Sequence, residues 1–139
     1  MTRAGNLCLS SAGAVVALAT SSDDRHRAQH IIDGNPETFW TTTGMFPQEF
    51  IISMSSLQKI GKITMESSLI RSLRIETSTS KDPVNFEHCV ERDLEHMEGQ
   101  FQNEEITLPG VQAVHLRFVI QSAYDHFVAV RSVLAESVM

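Results

Sequence analysis

The sequence is short of the residues that mark several protein classes. Two cysteines, Cys8 and Cys89, are too few for the disulfide framework of a small secreted domain. They read as two thiols in a reducing compartment, with a pairing left open should their strands prove adjacent. Eleven basic residues stand against seventeen acidic ones, a formal net charge of -6. Apart from close pairs such as Arg25/Arg27 and Arg71/Arg74 the basic residues are scattered, so the basic stripe that a phosphate backbone needs is missing. No run approaches the roughly 18 apolar residues of a membrane-spanning helix. Met1-Thr2-Arg3 followed by Ala12 to Ala19 imitates a signal peptide, but Asn6, Ser10 and Ser11 interrupt its apolar stretch. The better reading is the first strands of a cytosolic domain. There is no Gly-x-Ser-x-Gly elbow and no Gly-rich phosphate loop.

What is there is enough for one core. The 139 residues fit a single domain over 1–139, and 42% of them are hydrophobic, which argues against disorder. The periodicity is that of strands. Val114, Leu116, Phe118 and Ile120 alternate with the polar face of Arg117 and Gln121. Leu69 to Thr77 sets Leu69, Leu73 and Ile75 against Ile70, Ser72, Arg74 and Glu76. Shorter strands are expected at Asn6–Leu9, Ala14–Thr20, Glu49–Met54, Ile60–Met65, Phe86–Glu91, Glu105–Leu108 and Phe127–Leu134. Breakers fall between them at Asp33-Gly34-Asn35-Pro36, Thr43-Gly44, Phe46-Pro47, Lys81-Asp82-Pro83 and Pro109-Gly110. Eight or nine short strands at such spacing predict an all-β sandwich or barrel. One short helix is expected from about Asp23 to Ile31, capped by Ser21 or Ser22. Glu91 to Gln102 reads as a polar surface loop.

The most informative stretch runs from Ala28 to Trp40. Asp33 supplies a carboxylate, Gly34 permits a positive φ, and Asn35-Pro36 continues the bend, so that backbone carbonyls can turn inward. Thr38 adds a hydroxyl. A tight oxygen-rich loop of this kind suits a hard cation, since calcium takes six to eight oxygen ligands. The same residues also describe a plain solvated Asp-Gly turn, and the spacing is not that of an EF-hand. Phe39 and Trp40 are expected to anchor the loop to the core.

The segment Ala28 to Trp40 resembles the signature of discoidin, or coagulation factor type C, domains and their carbohydrate-binding relatives. Thr20-Ser21-Ser22 and Leu116-Arg117-Phe118 share in the likeness. The resemblance implies a galactose-binding-like, discoidin-type jelly-roll β-sandwich. It implies a structural calcium held by the carbonyls of His30 and Asn35, the carboxylate of Asp33, and Thr38, closed by Glu136 in the last strand. His30 stands where the family usually has asparagine.

A longer block, Ile31 to Phe50, together with Leu7 to Ser11, Ala19 to Asp23 and Ser122 to Phe127, is similar to a family of subunits of the ciliary intraflagellar transport B complex. That likeness implies a non-enzymatic protein of cilium and cytoplasm. Its implied partner is a Rab-like small GTPase subunit, intraflagellar transport protein 27. The implied cargo is signalling components for ciliary export, Hedgehog components included. A lectin-like module for carbohydrate or lipid headgroups is the alternative. An aromatic cluster with a pocket on the end loops would favour the lectin, and a dry sheet face the protein partner.

Other constellations carry less. His26 and His30 have zinc-pair spacing but lack two further ligands. His88 and Cys89 are neighbours on a strand and point to opposite faces, which separates base from nucleophile. Asp125-His126 reads as a loop, and seventeen acids make some carboxylate pair inevitable. Met45-Phe46 is a candidate apolar spike.

Overall fold

The computed structural model describes residues 6–21 and 23–138. Met1-Thr2-Arg3 and the alternative cap Ser22 therefore lie outside the described residues. Among the described residues seven strands form: β1 (Val15–Ala19), β2 (Trp40–Thr41), β3 (Gln48–Ser68), β4 (Ile70–Ser78), β5 (Glu87–Asp93), β6 (Gln102–Ala123) and β7 (Ala129–Ser137). Two short 3-10 helices, Ser10–Ala12 and Ala28–Ile32, complete the elements. The chain adopts the all-β architecture expected from the alternating pattern, in the jelly-roll form that the resemblance implies.

The strand count is lower than the pattern predicts because four expected strands merge into two. Glu49–Met54 and Ile60–Met65 are halves of β3, and Glu105–Leu108 and Val114–Gln121 are halves of β6. These two strands pair antiparallel along most of their length, with register breaks at Ser53/Gln58 and Ile60/Lys62. At the breaks they pass from one layer of the sandwich to the other. The first half of β3 lies between β1 and the second half of β6, which continues to β4 and β5. The second half of β3 lies between β7 and the first half of β6, with β2 beyond β7. Pro109-Gly110, expected to be a turn, is instead a bulge inside β6: Thr107 pairs with Lys62 and Val111 with Ile60. Gly110 takes φ 92°, a value that glycine reaches without steric cost.

The layers enclose one core. Phe50 stacks on Phe118 at 4.8 Å, and Trp40 meets Phe50 edge-on at 5.3 Å. Leu116, Phe118 and Ile120 are fully buried, as their alternation predicts, while Val114 sits at the bend and only partly joins them.

Three expectations need correction. Asn6–Leu9 is not a strand. Its Asn6 side chain instead bridges to β7, donating to the Val133 carbonyl (3.4 Å) and accepting from Ala135 N–H (3.1 Å). The Asp23–Ile31 helix is replaced by a turn, in which Asp23 accepts from Arg25 and His26, and by the second 3-10 helix. A side-chain acceptor two residues back competes well with helix in this way. Finally, Leu69 is not in β4. It takes φ 71°, and β4 begins at Ile70, which is fully buried.

Candidate functional site

The Asp33 loop connects the second 3-10 helix to β2. Ile31 and Ile32 bury their side chains and hold its start, and Trp40 is fully buried at its end, donating Nε1–H to the Ser21 carbonyl (3.0 Å). Between these anchors the loop is exposed. Asp33 Oδ1 accepts from Asn35 N–H (2.9 Å), and Asn35 Oδ1 accepts from Glu37 N–H (2.9 Å), two consecutive side-chain-closed turns. Thr38 Oγ1 lies 2.9 and 2.7 Å from the two Asp33 carboxylate oxygens and 3.2 Å from the Asn35 carbonyl. Asp33, Asn35 and Thr38 are thus brought together. One hydroxyl proton serves one acceptor well, so three oxygens around Thr38 Oγ1 concentrate lone pairs at one spot. Such spacing matches neighbouring oxygens of a calcium shell built on bonds of about 2.3–2.6 Å. The residues fit a hard cation in kind, with a single carboxylate as the charged donor.

His30 joins the loop differently. Its Nδ1 lies 3.2 Å from the Phe39 carbonyl, and His26 stacks on the Phe39 ring at 4.2 Å. Both imidazoles are engaged with Phe39, which uses the zinc-spaced pair for packing, and the only oxygen His30 offers is its backbone carbonyl. Among the described residues, no three His, Cys, Asp or Glu side chains converge.

Glu136 sits elsewhere. In β7 it is paired in register with Lys62, whose pKa is raised first by its hydrogen bond to Glu105 and last by the charge of Glu136. The part of β7 that shares a depression of about 150 Å³ with Gly34, Asn35 and Pro36 is Arg131-Ser132, four residues upstream and about 13 Å along a strand. The carboxylate lining that depression is Glu66 of β3, 3.5 Å from Arg131. Sequence reasoning missed Glu66, because nothing local marks a strand residue brought in by register.

A second feature lies on the far side of Phe39. Leu94 and Gln102, both buried, anchor the loop 94–101 between β5 and β6. Gln102 Nε2 donates to the carbonyls of Ile70 (2.7 Å) and Glu95 (2.9 Å), and its Oε1 accepts from Ile70 N–H and Ser67 Oγ, each at 3.1 Å. The loop and the β3–β4 connection are thereby clamped together. Between them and Phe127 runs a mainly apolar groove of about 490 Å³. The polar loop expected over Glu91–Gln102 therefore hides an apolar surface carried by Met97 and Phe101. Tyr124, which donates to the Leu94 carbonyl (2.6 Å), stacks on His96 at 5.3 Å. Met45 is 88% exposed on the neighbouring loop, whereas Phe46 packs against the core, so the spike is Met45 alone.

His88 pairs with Glu91 at 3.4 Å, and Cys89 is a free, half-buried thiol whose pKa burial raises. Cys8 is free and buried beside β7, with its pKa pushed up to about 12 by burial. Cys89 lies in β5 at one end of the strand order, Cys8 precedes the first strand, and the two are not paired.

Comparison with known proteins places this geometry. Residues 17–133 match the F5/8 type C domain. The human intraflagellar transport protein 25 homolog (Homo sapiens) is 58% identical over 131 residues, 94% of this chain and 91% of its own length. The chain belongs to the intraflagellar transport protein 25 family of F5/8 type C domains. Intraflagellar transport protein 25 of Chlamydomonas reinhardtii is 34% identical, covering 87% of this chain and 64% of that protein. Among solved structures, a family 32 carbohydrate-binding module of C. perfringens NanJ, in complex with galactose, superposes with a TM-score of 0.80 at 16% identity, covering 96% of this chain and 98% of the module. A second module from Clostridium perfringens, in complex with GalNAc-beta-1,3-galactose, gives 0.81 at 18% identity, covering 95% and 99%. At such identities these modules share the jelly-roll fold and carry no argument about ligand.

Proposed function

We propose that the chain is a non-enzymatic subunit of the ciliary intraflagellar transport B complex. In this reading it forms a heterodimer with a Rab-like small GTPase, intraflagellar transport protein 27, and supports ciliary export of signalling cargo, Hedgehog components included. The observation that carries the reading is 58% identity over 94% of the chain to a protein named for intraflagellar transport. A coarser role in intraflagellar transport, with association with the cilium, follows from the family itself. Among the described residues no helix is long and apolar enough to cross a membrane, so attachment through a protein partner is the simpler route to a ciliary particle.

Co-expression with the GTPase subunit, followed by gel filtration at near-physiological salt, tests the pairing. Co-elution as a one-to-one complex is expected. Two separate peaks, with the GTPase folded and nucleotide-loaded, would remove the partner from this reading.

The calcium reading goes with the Asp33 loop. Asp33 and Thr38 and the carbonyls of Asn35 and His30 would hold the ion, and its chemistry would be structural, drawing oxygens together that otherwise repel. The resemblance closes the site with Glu136, which lies four residues along β7 from Arg131-Ser132, the part of that strand bordering the loop. Lectin-like binding of a carbohydrate or lipid headgroup is a second reading. The aromatic groove favours it, but a sugar needs several convergent polar groups and the groove is mainly apolar.

A further inference from the structure

We infer that the groove beside Leu69 docks a segment of a partner protein that carries apolar anchors flanked by lysine or arginine. Four observations converge there.

The first is exposure. Met97, Phe101 and Phe127 are each about two-fifths exposed and line one groove, and Tyr124, exposed to the same degree, stacks on His96 at its wall. Single exposed apolar residues are ordinary, but a contiguous group on a folded surface marks an interaction site.

The second is strain. Leu69 lines the groove at φ 71°, a left-handed conformation in which its Cβ crowds the neighbouring carbonyl. Such strain persists where the surroundings over-determine it, and it gathers at binding sites. Here the surroundings are explicit: Gln102 holds both the N–H and the carbonyl of Ile70, and Tyr124 N–H donates to the Leu69 carbonyl (2.9 Å). A glycine at 69 would adopt this backbone freely. What leucine adds is an apolar side chain on the groove wall.

The third is preorganisation. The Gln102 clamp, with the Tyr124 hydroxyl on the Leu94 carbonyl, pins both ends of the 94–101 loop before any ligand arrives, which reduces the entropy lost on binding.

The fourth is charge. The groove adjoins a depression of about 490 Å³, with which it shares Met97, Gln100 and Phe101. Glu98 lines the groove, and Asp93, Glu95 and Glu104 line the depression. Among the described residues lining either, there is no lysine or arginine. Arg131, whose guanidinium lies 4.9 Å from the Phe101 ring centroid, is paired with Glu66. An apolar trough with an acidic rim complements an apolar segment with basic flanks. Such charges govern which partner is accepted and how fast it arrives. A sugar would leave the carboxylates without a complement.

The test uses the full chain. A random peptide library displayed on phage is selected against it, and the affinities of enriched peptides are measured by fluorescence polarisation. The proteins compared are the wild type, Met97→Ser, Glu98→Lys, Leu69→Gly and, as a control on β1, Leu18→Ser. Enriched peptides should combine aliphatic or aromatic residues with Lys or Arg. Binding should weaken about tenfold or more in Met97→Ser and Glu98→Lys, and stay within about twofold in Leu18→Ser. Glu98 is exposed, so its charge reversal reads the groove without threatening the fold. Leu69→Gly should keep a cooperative melt and still lose affinity. Failure to enrich any peptide, binding indifferent to the groove variants, or displacement of the peptide by galactose would each overturn the proposal.

Discussion

Asp33, Cys8 and Leu69 show how much a single side chain does here. Asp33 is exposed, yet it accepts from Asn35 N–H and from Thr38 Oγ1, so it closes the turn electrostatically. Asp33→Ala should lower stability by about 1–2 kcal/mol even in chelator, as expected for lost hydrogen bonds to a charged group. Calcium should raise the melting temperature of the wild type and leave that of the variant unchanged. A ligand at one hundred times its dissociation constant adds about 2.7 kcal/mol. Identical wild-type melts with calcium and with chelator would take the metal out of the account. Cys8 provides a pH test. Burial pushes its thiol pKa up to about 12 from an ordinary value near 9, so the thiol stays neutral over that range. Because the folded pKa is raised, its contribution is complete below pH 9 and is lost as pH rises toward 12. Stability should fall by about 1.4 kcal/mol per pH unit in that window. Cys8→Ala should remove that part of the slope, as read from denaturant midpoints at pH 8 and pH 10.5. At this scale the sequence was partly legible. Asp33, Asn35 and Thr38 lie close in the chain and are brought together, because a turn is a local object. Glu66 and the Arg131-Ser132 pair come to border the loop by strand register, which no local pattern encodes.

The elements themselves were largely readable, and the strands whose limits were misread share one cause. Alternation locates strands well but does not say where one strand bends and continues. Pro109-Gly110 reads as a turn by composition, and β6 runs through it as a bulge. Leu69 and Ile70 read as strand residues with Leu69 facing inward. A positive φ at Leu69 shifts the parity, and Ile70 takes the core position. From Leu73 onward the expected parity holds, with Leu73 and Ile75 buried, and the apolar groove was invisible beforehand because Met97 and Phe101 stood in a segment that reads as a polar loop. Gly110→Ala tests the bulge. Its φ of 92° disfavours any Cβ, and the new methyl would meet Lys59 Cε at 2.7 Å, the far end of a flexible side chain. The backbone term should therefore dominate, at about 1–2 kcal/mol, measured by urea unfolding. A neutral result would mean that the bulge relaxes to another geometry.

For the molecule as a whole, the decisive fact is that β3 and β6 belong to both layers. Neither layer can open while the other stays closed, because each is built on halves of the same two strands. Unfolding should therefore be a single transition. Trp40, the one tryptophan, is fully buried, so its fluorescence and the far-ultraviolet circular dichroism should trace coincident curves. Separate midpoints would show that the layers have independent stability. The overall class was readable because composition, turn residues and alternation agree on it. The partner was not readable from those features, since a docking surface is defined by what lies beyond the chain.

The Gln102 clamp has a consequence for how such a domain changes over generations. One buried amide ties the 94–101 loop to the β3–β4 connection through four hydrogen bonds, none of which reaches a residue between Met97 and Phe101. The residues that face outward can therefore be rewritten while the hinge that presents them stays the same. A scaffold wired in this way can exchange one client for another by editing a few surface letters, and a designer can graft a new recognition loop between Leu94 and Gln102 at little cost to the barrel of strands beneath.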